Sequence, residues 1–147
     1  MIRKAELKDI APICRYVKNW QTSVPEVQVK PFDTEYCIEV YTTLYKQGYL
    51  VAYLVVADNH RPVGLIAGII TPGLEHPDLE AREIHFFVEE AYRGFSTANR
   101  LLRQFRGECI ARGATKIYMG GGVDPSLEKL YTRGGFIKQS SSYLLEV

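Results

Sequence analysis

A short segment in the middle of the chain, EIHFFV at residues 83–88, alternates polar and apolar side chains. In a strand, successive side chains point to opposite faces, so this pattern places Glu83, His85 and Phe87 together on one face. The opposite face would then carry Ile84, Phe86 and Val88. A carboxylate and an imidazole on one face can accept or relay a proton near neutral pH. Two plainer interpretations fit equally well, namely a solvated strand start for Glu83 and a packed or surface histidine for His85.

A second segment, YRGFSTANRLL at residues 92–102, places an arginine and a glycine directly before an amphipathic run. A strand that enters a tight glycine-containing turn and then a helix presents unpaired backbone N–H groups at the positive end of the helix dipole. Such a helix start can bind a phosphate group. The plainer alternative is that Arg93 and Gly94 form an ordinary turn and that Ser96 caps a core helix.

Hydrophobic periodicity predicts the elements that come before these two segments. We expect a strand at 1–5, a helix over 7–20, a surface loop at 21–32, a helix over 34–47, and a hairpin with strands at 49–57 and 63–71. Asp33 is the expected cap of the second helix, and Gly48 its expected stop. Within that helix, Tyr36, Val40 and Leu44 recur at four-residue steps.

The elements after the segment at 83–88 follow from the same signals. A helix is expected from about Thr97 to Gly113, with an apolar stripe of Ala98, Leu101, Leu102, Phe105 and Cys109. A strand at 115–120 follows, and then a helix that starts at Pro125 with Asp124 as its cap and stops at residues 134 and 135. We expect two closing strands, at 136–139 and 142–147.

The whole chain, residues 1–147, fits a single domain, because 147 residues of which 46% are hydrophobic can bury an adequate core without disulfides or metals. A formal net charge of +1 would attract neither nucleic acid nor an anionic membrane, so we expect neither partner. The longest apolar run, LVAYLVVA, is too short to cross a bilayer. Three widely spaced cysteines without a C-x-x-C pair indicate no metal site and a reducing cytoplasm.

The order of a strand, RGFSTA, an amphipathic helix, a short strand and LYTRGGF resembles the GCN5-related N-acetyltransferase (GNAT) superfamily. The signature of that family is Q/R-x-x-G-x-G/A, followed later by a tyrosine just before a G-F pair. Arg93 matches the first signature position and Ala98 the last, whereas Ser96 stands where the family usually has glycine. The resemblance covers most of the chain, which also looks like short acetyltransferase-like chains of phage genomes. It implies a mixed α+β fold with a mostly antiparallel sheet of about seven strands, about four flanking helices, and splayed strands 4 and 5.

The resemblance also implies a cosubstrate, acetyl-CoA, and the residues that would bind it. Pantetheine would lie in the cleft where strands 4 and 5 separate, beside Phe87 and Val88. The pyrophosphate would lie on the signature, which comprises Arg93, Gly94, Phe95, Ser96, Thr97, Ala98, Asn99 and Arg100. Arg100 and Arg103 could reach the CoA phosphates or form a solvated helix face. Asp124 falls where many members have an asparagine near pantetheine, although a helix cap explains it equally well.

By the same resemblance, the chain transfers acetyl to an amine that attacks directly, without a covalent enzyme intermediate. A lysine-like amine, with a pKa of about 10.4, is mostly protonated at neutral pH, so a base or proton relay is needed. Glu83 or His85 could serve, directly or through water. Tyr131 matches the family's general acid, since a phenol with a pKa of about 10 keeps its proton for the departing thiolate. A core-facing tyrosine packed on Leu127 is the alternative.

A second class of function stays open beside the enzyme. Ser96 is compatible with a catalytically weak acyl-CoA-binding or protein-interaction module that kept the fold after its signature changed. The acceptor could be a small molecule or a protein amine, and it would be selected by the loop between the first two helices and by the hairpin. Trp20 and Tyr36 are candidates for this selection by position alone. Monomer and homodimer are both compatible with the sequence.

Overall fold

The computed structural model describes residues 1–23, 31–120 and 125–139, together with residues 143, 145 and 147. Its helices are α1 (Ile10–Ser23), α2 (Thr34–Lys46), α3 (Phe95–Ala111) and α4 (Pro125–Arg133), with 3-10 turns at Leu7–Asp9 and Glu90–Tyr92. Its strands are β1 (Ile2–Lys4), β2 (Leu50–Val56), β3 (Pro62–Pro72), β4 (Leu79–Val88) and β5 (Ala114–Tyr118). The described residues thus form a mixed α+β fold.

The strands form one sheet in the order β1-β2-β3-β4-β5. The first three pairings are antiparallel, and only β4 and β5 run parallel, because α3 carries the chain back between them. The expectation of about seven strands is wrong for the described part of the chain, which holds five. Residues 136–139, expected as a strand, have no regular structure, because no neighbouring strand pairs with them. The expected strand at 142–147 falls largely outside the described residues.

The start and stop signals behave as the sequence predicts for α2 and α4. The N–H of Tyr36 donates to the carboxylate of Asp33 at 3.0 Å, which caps α2. Gly48 follows that helix with a φ of +77°, a conformation that favours glycine. Helix α4 starts at Pro125, as expected, while its expected cap Asp124 lies outside the described residues.

Two helix expectations need correction. Helix α1 continues to Ser23, so residues 21–23 are helical rather than part of the loop. In α2, Tyr36 is 66% exposed, and the buried residue is Tyr41. Leu44 of the four-residue series packs with Cys37 and Tyr41 against the core, whereas Tyr36 turns toward solvent. The series therefore lies only partly on the buried face, because several faces of α2 carry apolar residues.

The core has two parts, one on each face of the sheet. The α3/α4 cluster contains Phe86 and Val88 of β4 together with side chains of α3 and Tyr131 of α4. The α1/α2 cluster contains Phe87 of β4, four side chains of α1, and Tyr41. The apolar stripe predicted for α3 is confirmed, since Leu101, Leu102, Phe105 and Cys109 are buried and Ala98 packs against them. In the described part of the chain, no helix is both long and apolar enough to cross a membrane.

Candidate active site

The fourth and fifth strands separate where the candidate site lies. Pairing between β4 and β5 starts at Leu79 and Ala114 and ends at Arg82 and Tyr118. From Glu83 to Val88, β4 pairs only with β3, and none of the described residues forms a strand on its other edge. The pairing of β4 with β5 thus ends where the splay was expected. The open edge offers backbone N–H and C=O groups to an extended ligand.

A β-bulge interrupts the alternation at the start of this open segment. On β3, Ala67 pairs with His85 and the next residue, Gly68, pairs with Glu83, so Ile84 has no partner. Ile84 packs with the α1/α2 cluster, whereas Phe86 and Val88 belong to the α3/α4 cluster. The predicted grouping of Ile84 with Phe86 and Val88 is therefore wrong, because an extra residue in one strand breaks the period of two.

A 3-10 turn at Glu90–Tyr92 connects the end of β4 to helix α3, and Gly94 is the N-cap of that helix. The expected helix start at Thr97 is two residues late, and Ser96 lies inside the first turn rather than capping it. Gly94 provides no side-chain cap to the first turn, where the N–H of Thr97 donates to the carbonyl oxygen of Gly94 at 3.0 Å. A Cβ on Gly94 would meet only the Thr97 hydroxyl oxygen, at 3.9 Å. The helix start is thus open enough for an anion to reach the backbone.

Arg93 connects the strand and the helix. Its Nε donates to the carbonyl oxygen of Val88 at 2.7 Å, which fixes the last residue of β4 against the turn into α3. The residues expected to bind pantetheine, Phe87 and Val88, thus lie close to Arg93 and the start of α3, where the pyrophosphate is expected. The structure brings these two predicted groups together at one end of the sheet.

Glu83 reaches across the gap between the strands. Its Oε2 accepts a hydrogen bond from the backbone N–H of Gly120, just beyond β5, at 2.8 Å. A Cβ on Gly120 would lie 2.9 Å from that same oxygen, so only glycine permits the contact without a shift of the carboxylate. Burial raises the pKa of Glu83, and the N–H of Gly120 opposes part of that rise. The carboxylate is held at the mouth of the splay.

His85 lies under the second helix. Its ring stacks on that of Tyr41, with centroids 6.3 Å apart and planes 18° apart. Burial lowers the pKa of His85 to about 4, so the imidazole is neutral at neutral pH. Such a histidine can accept a hydrogen bond but binds a proton weakly. The plainer interpretation, a packed core histidine, fits this contact.

Tyr131 lies on the other face of the sheet. Its ring packs against Phe86 of the splayed segment, with centroids 6.4 Å apart, and against Phe136 at 5.7 Å. The turn that follows α4 is held by Arg106, whose guanidinium donates to the carbonyl oxygen of Gly134 at 2.7 Å. Tyr131 is buried, and Leu127 packs against the same cluster, as the core-facing alternative expects.

Some predicted residues lie away from this end of the sheet, and Asp124 lies outside the described residues. Arg100 and Arg103 line a groove with Ile2 and Tyr53, on the side of α3 that faces the opposite end of the sheet from β5. Tyr36, a positional candidate for acceptor selection, is exposed on α2.

Tertiary packing brings Trp20, a positional candidate for acceptor selection, to the site and adds Tyr16, Tyr41 and Gly120, which the sequence did not single out. Trp20 stacks on Phe87 with centroids 4.4 Å apart and planes 6° apart, and Tyr16 tilts against the same ring at 5.0 Å. Tyr41 and Gly120 contact the two candidate bases. Gly120 is the first of three consecutive glycines in the sequence, a pattern that is also typical of a loop.

Comparison with known proteins agrees with this geometry. Residues 15–136 match the family model described as the acetyltransferase (GNAT) family. No curated protein sequence is detectably similar to the chain.

Solved structures share the fold at low sequence identity. A probable acetyltransferase aligns with a TM-score of 0.76 and 17% identity, over 100% of this chain and 97% of the other. Glucosamine-6-phosphate N-acetyltransferase from Arabidopsis thaliana aligns with a TM-score of 0.75 and 13% identity, over 99% and 97%. A predicted acetyltransferase with acetyl-CoA, from Clostridium acetobutylicum, aligns with a TM-score of 0.73 and 18% identity, over 100% and 94%.

Proposed function

We propose that this chain, which belongs to the acetyltransferase (GNAT) family, transfers an acetyl group from acetyl-CoA to the nitrogen of an amine. The observation that carries the proposal is the gap between β4 and β5 beyond Arg82 and Tyr118. This gap opens beside the uncapped start of α3, and a buried carboxylate stands at its mouth. An extended ligand with a phosphate group fits this combination of a free strand edge and a free helix N-terminus.

The backbone groups of the signature segment, rather than its side chains, would bind the cosubstrate. The open edge of β4 at Phe87 and Val88 would hold an extended chain, and the first-turn N–H groups of α3 would hold its phosphates. The space at Gly94 supports this fit, since an added Cβ there would meet the Thr97 hydroxyl oxygen only at 3.9 Å. Bound acetyl-CoA would supply the activated acetyl group.

Glu83 is the better of the two candidate bases. An amine must lose a proton before or during the attack, and a base accepts it better the higher its own pKa. Burial raises the pKa of Glu83 but lowers that of His85 to about 4. Glu83 therefore takes the proton in our proposal, while His85, neutral under Tyr41, shapes the acceptor side of the cleft.

Tyr131 would return a proton to the departing thiolate. Its ring, on α4, packs against Phe86 of the open segment of β4, on the opposite face of the sheet from His85. Separate positions for base and acid allow one group to take a proton while the other gives one. A Tyr131→Phe variant that keeps full turnover would remove this role.

Binding of acetyl-CoA is the first test, measured by calorimetry with CoA and ATP as comparisons. The structure offers two glycines of the same helix region as a matched pair. Gly94 has an ordinary extended conformation and room for a side chain, so Gly94→Val should fold normally and weaken acetyl-CoA binding by at least about tenfold. Gly107, exposed in the middle of α3 with nothing within 4 Å of an added Cβ, is the control, and Gly107→Ala should bind as the wild type does.

The outcomes separate the enzyme from the binding module. Acetyl-CoA binding that Gly94→Val abolishes, followed by CoA release with a member of an amine panel, supports the transferase. Binding without transfer across small-molecule, peptide and protein amines supports the acyl-CoA-binding module instead. Equal binding by the wild type and Gly94→Val, or no binding by either, contradicts the proposed site.

A further inference from the structure

Two cysteines meet between the first two helices. Cys14 of α1 and Cys37 of α2 have their sulfur atoms 3.1 Å apart, and both are free thiols. Cys14 is fully buried in the α1/α2 cluster, whereas Cys37 is half-buried at its edge. The proposed acetyl transfer uses neither thiol.

The separation of the sulfur atoms is close to what a disulfide needs. A disulfide bond is about 2.05 Å long, so the two sulfurs would have to approach by roughly 1 Å. The described part of the chain brings no third histidine, cysteine or carboxylate to them, which leaves the pair without the ligand set of a metal site. The third cysteine, Cys109, lies on the opposite face of the sheet in the α3/α4 cluster and cannot reach them.

We propose that Cys14 and Cys37 are an oxidative modification site, which a hydroperoxide converts into a reversible disulfide between α1 and α2. The thiolate of Cys37 attacks the peroxide, the O–O bond breaks, and a sulfenic acid forms as one molecule of water leaves. The sulfur of Cys14 then attacks that of Cys37, the S–O bond breaks, and a second water leaves with the proton of Cys14. Two thiols are oxidised and one hydrogen peroxide is reduced to two waters, and a dithiol reductant reverses the change.

The two thiols are suited to different parts of this reaction. The hydrogen bond between them lowers the pKa of Cys37 and raises that of Cys14, and the burial of Cys14 adds to its rise. Cys37 is also the more accessible of the two. Thiolate character together with access selects the sulfur that is oxidised first. Cys14, already in contact, is placed to resolve the sulfenic acid before it is oxidised further.

The disulfide would act on the acceptor side of the cleft. Tyr41 lies one helical turn after Cys37, and its ring stacks on His85. A covalent link between α1 and α2 would restrain Tyr41 and Trp20, the latter stacked on Phe87 of the open strand. Any effect on the KM for an amine rests on the proposed function, whereas formation of the disulfide does not.

The test is peptide mass mapping of the purified full chain after treatment with hydrogen peroxide in slight excess. Remaining thiols are alkylated in denaturant before digestion. The expected product is an intramolecular Cys14–Cys37 crosslink that dithiothreitol removes. Because the link closes a loop of 23 residues in the unfolded chain, it should raise the unfolding midpoint by roughly 5–10 °C. Cys37→Ser should lose both effects, and Cys109→Ala should keep both.

Each outcome of the mass mapping supports or contradicts the disulfide proposal without an acetylation assay. Crosslinking in the wild type and Cys109→Ala, but not in Cys37→Ser, supports it. Oxidation of Cys37 to sulfinic acid without a crosslink, a crosslink between two chains, or three thiols that all remain open to alkylation would each overturn it. A crosslink in a protein that binds no acetyl-CoA would refute the proposed function and leave this inference intact.

Discussion

The α3/α4 cluster and the α1/α2 cluster fill opposite faces of one sheet, but they differ in chemistry. On the α3/α4 face, apolar side chains such as Phe105 and Leu101 form a frame, and the adjacent helix start offers backbone N–H groups. The α1/α2 face buries equally large apolar residues and adds two thiols in contact and a neutral imidazole. The α3/α4 face is suited to holding a cosubstrate by backbone groups and contributes the Tyr131 phenol, whereas the α1/α2 face offers a thiol pair and an imidazole.

This difference in chemistry explains why the cosubstrate side of the cleft is easier to predict from the sequence than the acceptor side. A site made of backbone groups depends on a local turn and a helix start, which a few consecutive residues specify. A site made of packed side chains depends on which helices meet, and no short segment encodes that. The experiments below test whether the two faces have these separate roles.

The largest expected effect is the loss of the carboxylate between the faces. Glu83→Gln should lower kcat at neutral pH by roughly 10²–10⁴-fold with little change in acetyl-CoA affinity, because the amide cannot take the proton. The measurement is thiol release from acetyl-CoA with the acceptor identified by the amine panel. Glu80→Gln is the matched control, since Glu80 lies on the paired part of β4 in ion pairs with Arg82 and Lys116. Equal losses in both variants would mean that Glu83 acts only through stability.

The second-largest expected effect is a pH dependence of folding stability that arises from His85 on the α1/α2 face. His85 has a folded-state pKa of about 4 against about 6.5 when unfolded, so between these values the unfolded chain binds more protons. Stability should therefore fall as the pH drops from 6.5 to 4, by about 3 kcal/mol from this residue. Glu83 acts in the opposite sense, because its raised folded-state pKa favours the folded state at low pH.

Urea midpoints across that pH range, compared between the wild type and His85→Gln, measure the contribution of His85. The variant should lose less stability on acidification than the wild type. His76→Gln, in an exposed loop, is the control and should follow the wild type. Parallel pH profiles for the wild type and His85→Gln would show that the imidazole is protonated without cost in the folded state.

On the α3/α4 face, steric crowding rather than a change of protonation should have the larger effect on stability. A Cβ on Gly68 would lie 2.5 Å from the Phe105 ring and 2.7 Å from the carbonyl oxygen of Arg82. Gly68→Ala should therefore cost roughly 1–3 kcal/mol of unfolding free energy, with no dependence on pH between 4 and 6.5 beyond that of the wild type. Gly107→Ala, exposed on the same helix as Phe105, should be neutral or slightly stabilising. A neutral Gly68→Ala would show that α3 can move away from the sheet.

The smallest effect concerns two tyrosine hydroxyls, one in each cluster. The hydroxyl of Tyr41 is buried and has no hydrogen-bond partner within the described residues, whereas that of Tyr53 lies 3.4 Å from a carboxylate oxygen of Glu108. Removing an unsatisfied group relieves a desolvation cost, so Tyr41→Phe should be neutral or stabilise the fold by up to about 1 kcal/mol. Tyr53→Phe should destabilise it by less than about 1 kcal/mol. The opposite order in thermal unfolding would mean that Tyr41 has a partner in solution.

Most of the fold up to Gly135 was readable from local signals, with errors where packing overrode them. Asp33, Gly48 and Pro125 mark helix ends that the structure confirms, because caps and left-handed turns depend on adjacent residues. The four-residue series of α2 lies only partly on the buried face, since the surface that the helix packs against, rather than the pattern, selects that face. The two closing strands were an expectation of the family resemblance and of apolar content, and neither specifies a pairing partner.

The candidate site also combines features that local sequence predicts with features that only packing decides. The signature segment at 93–98 and the splay of β4 from β5 could be expected from the sequence and its resemblance. The bulge at Ile84 could not, because it exists only in the register between β3 and β4.

By itself, the sequence determined both ends of α2, the start of α4, the five strands of the sheet and the glycine-containing helix start at the end of the cleft, because neighbouring residues interact in any fold. Tertiary structure alone decided that Gly120 would hold the carboxylate of Glu83 from 37 positions away and that Cys14 would meet Cys37 across two helices. Those contacts depend on the closure of long loops and on the choice of packed faces. The free energy that selects them comes from burial over the whole domain rather than from any one segment.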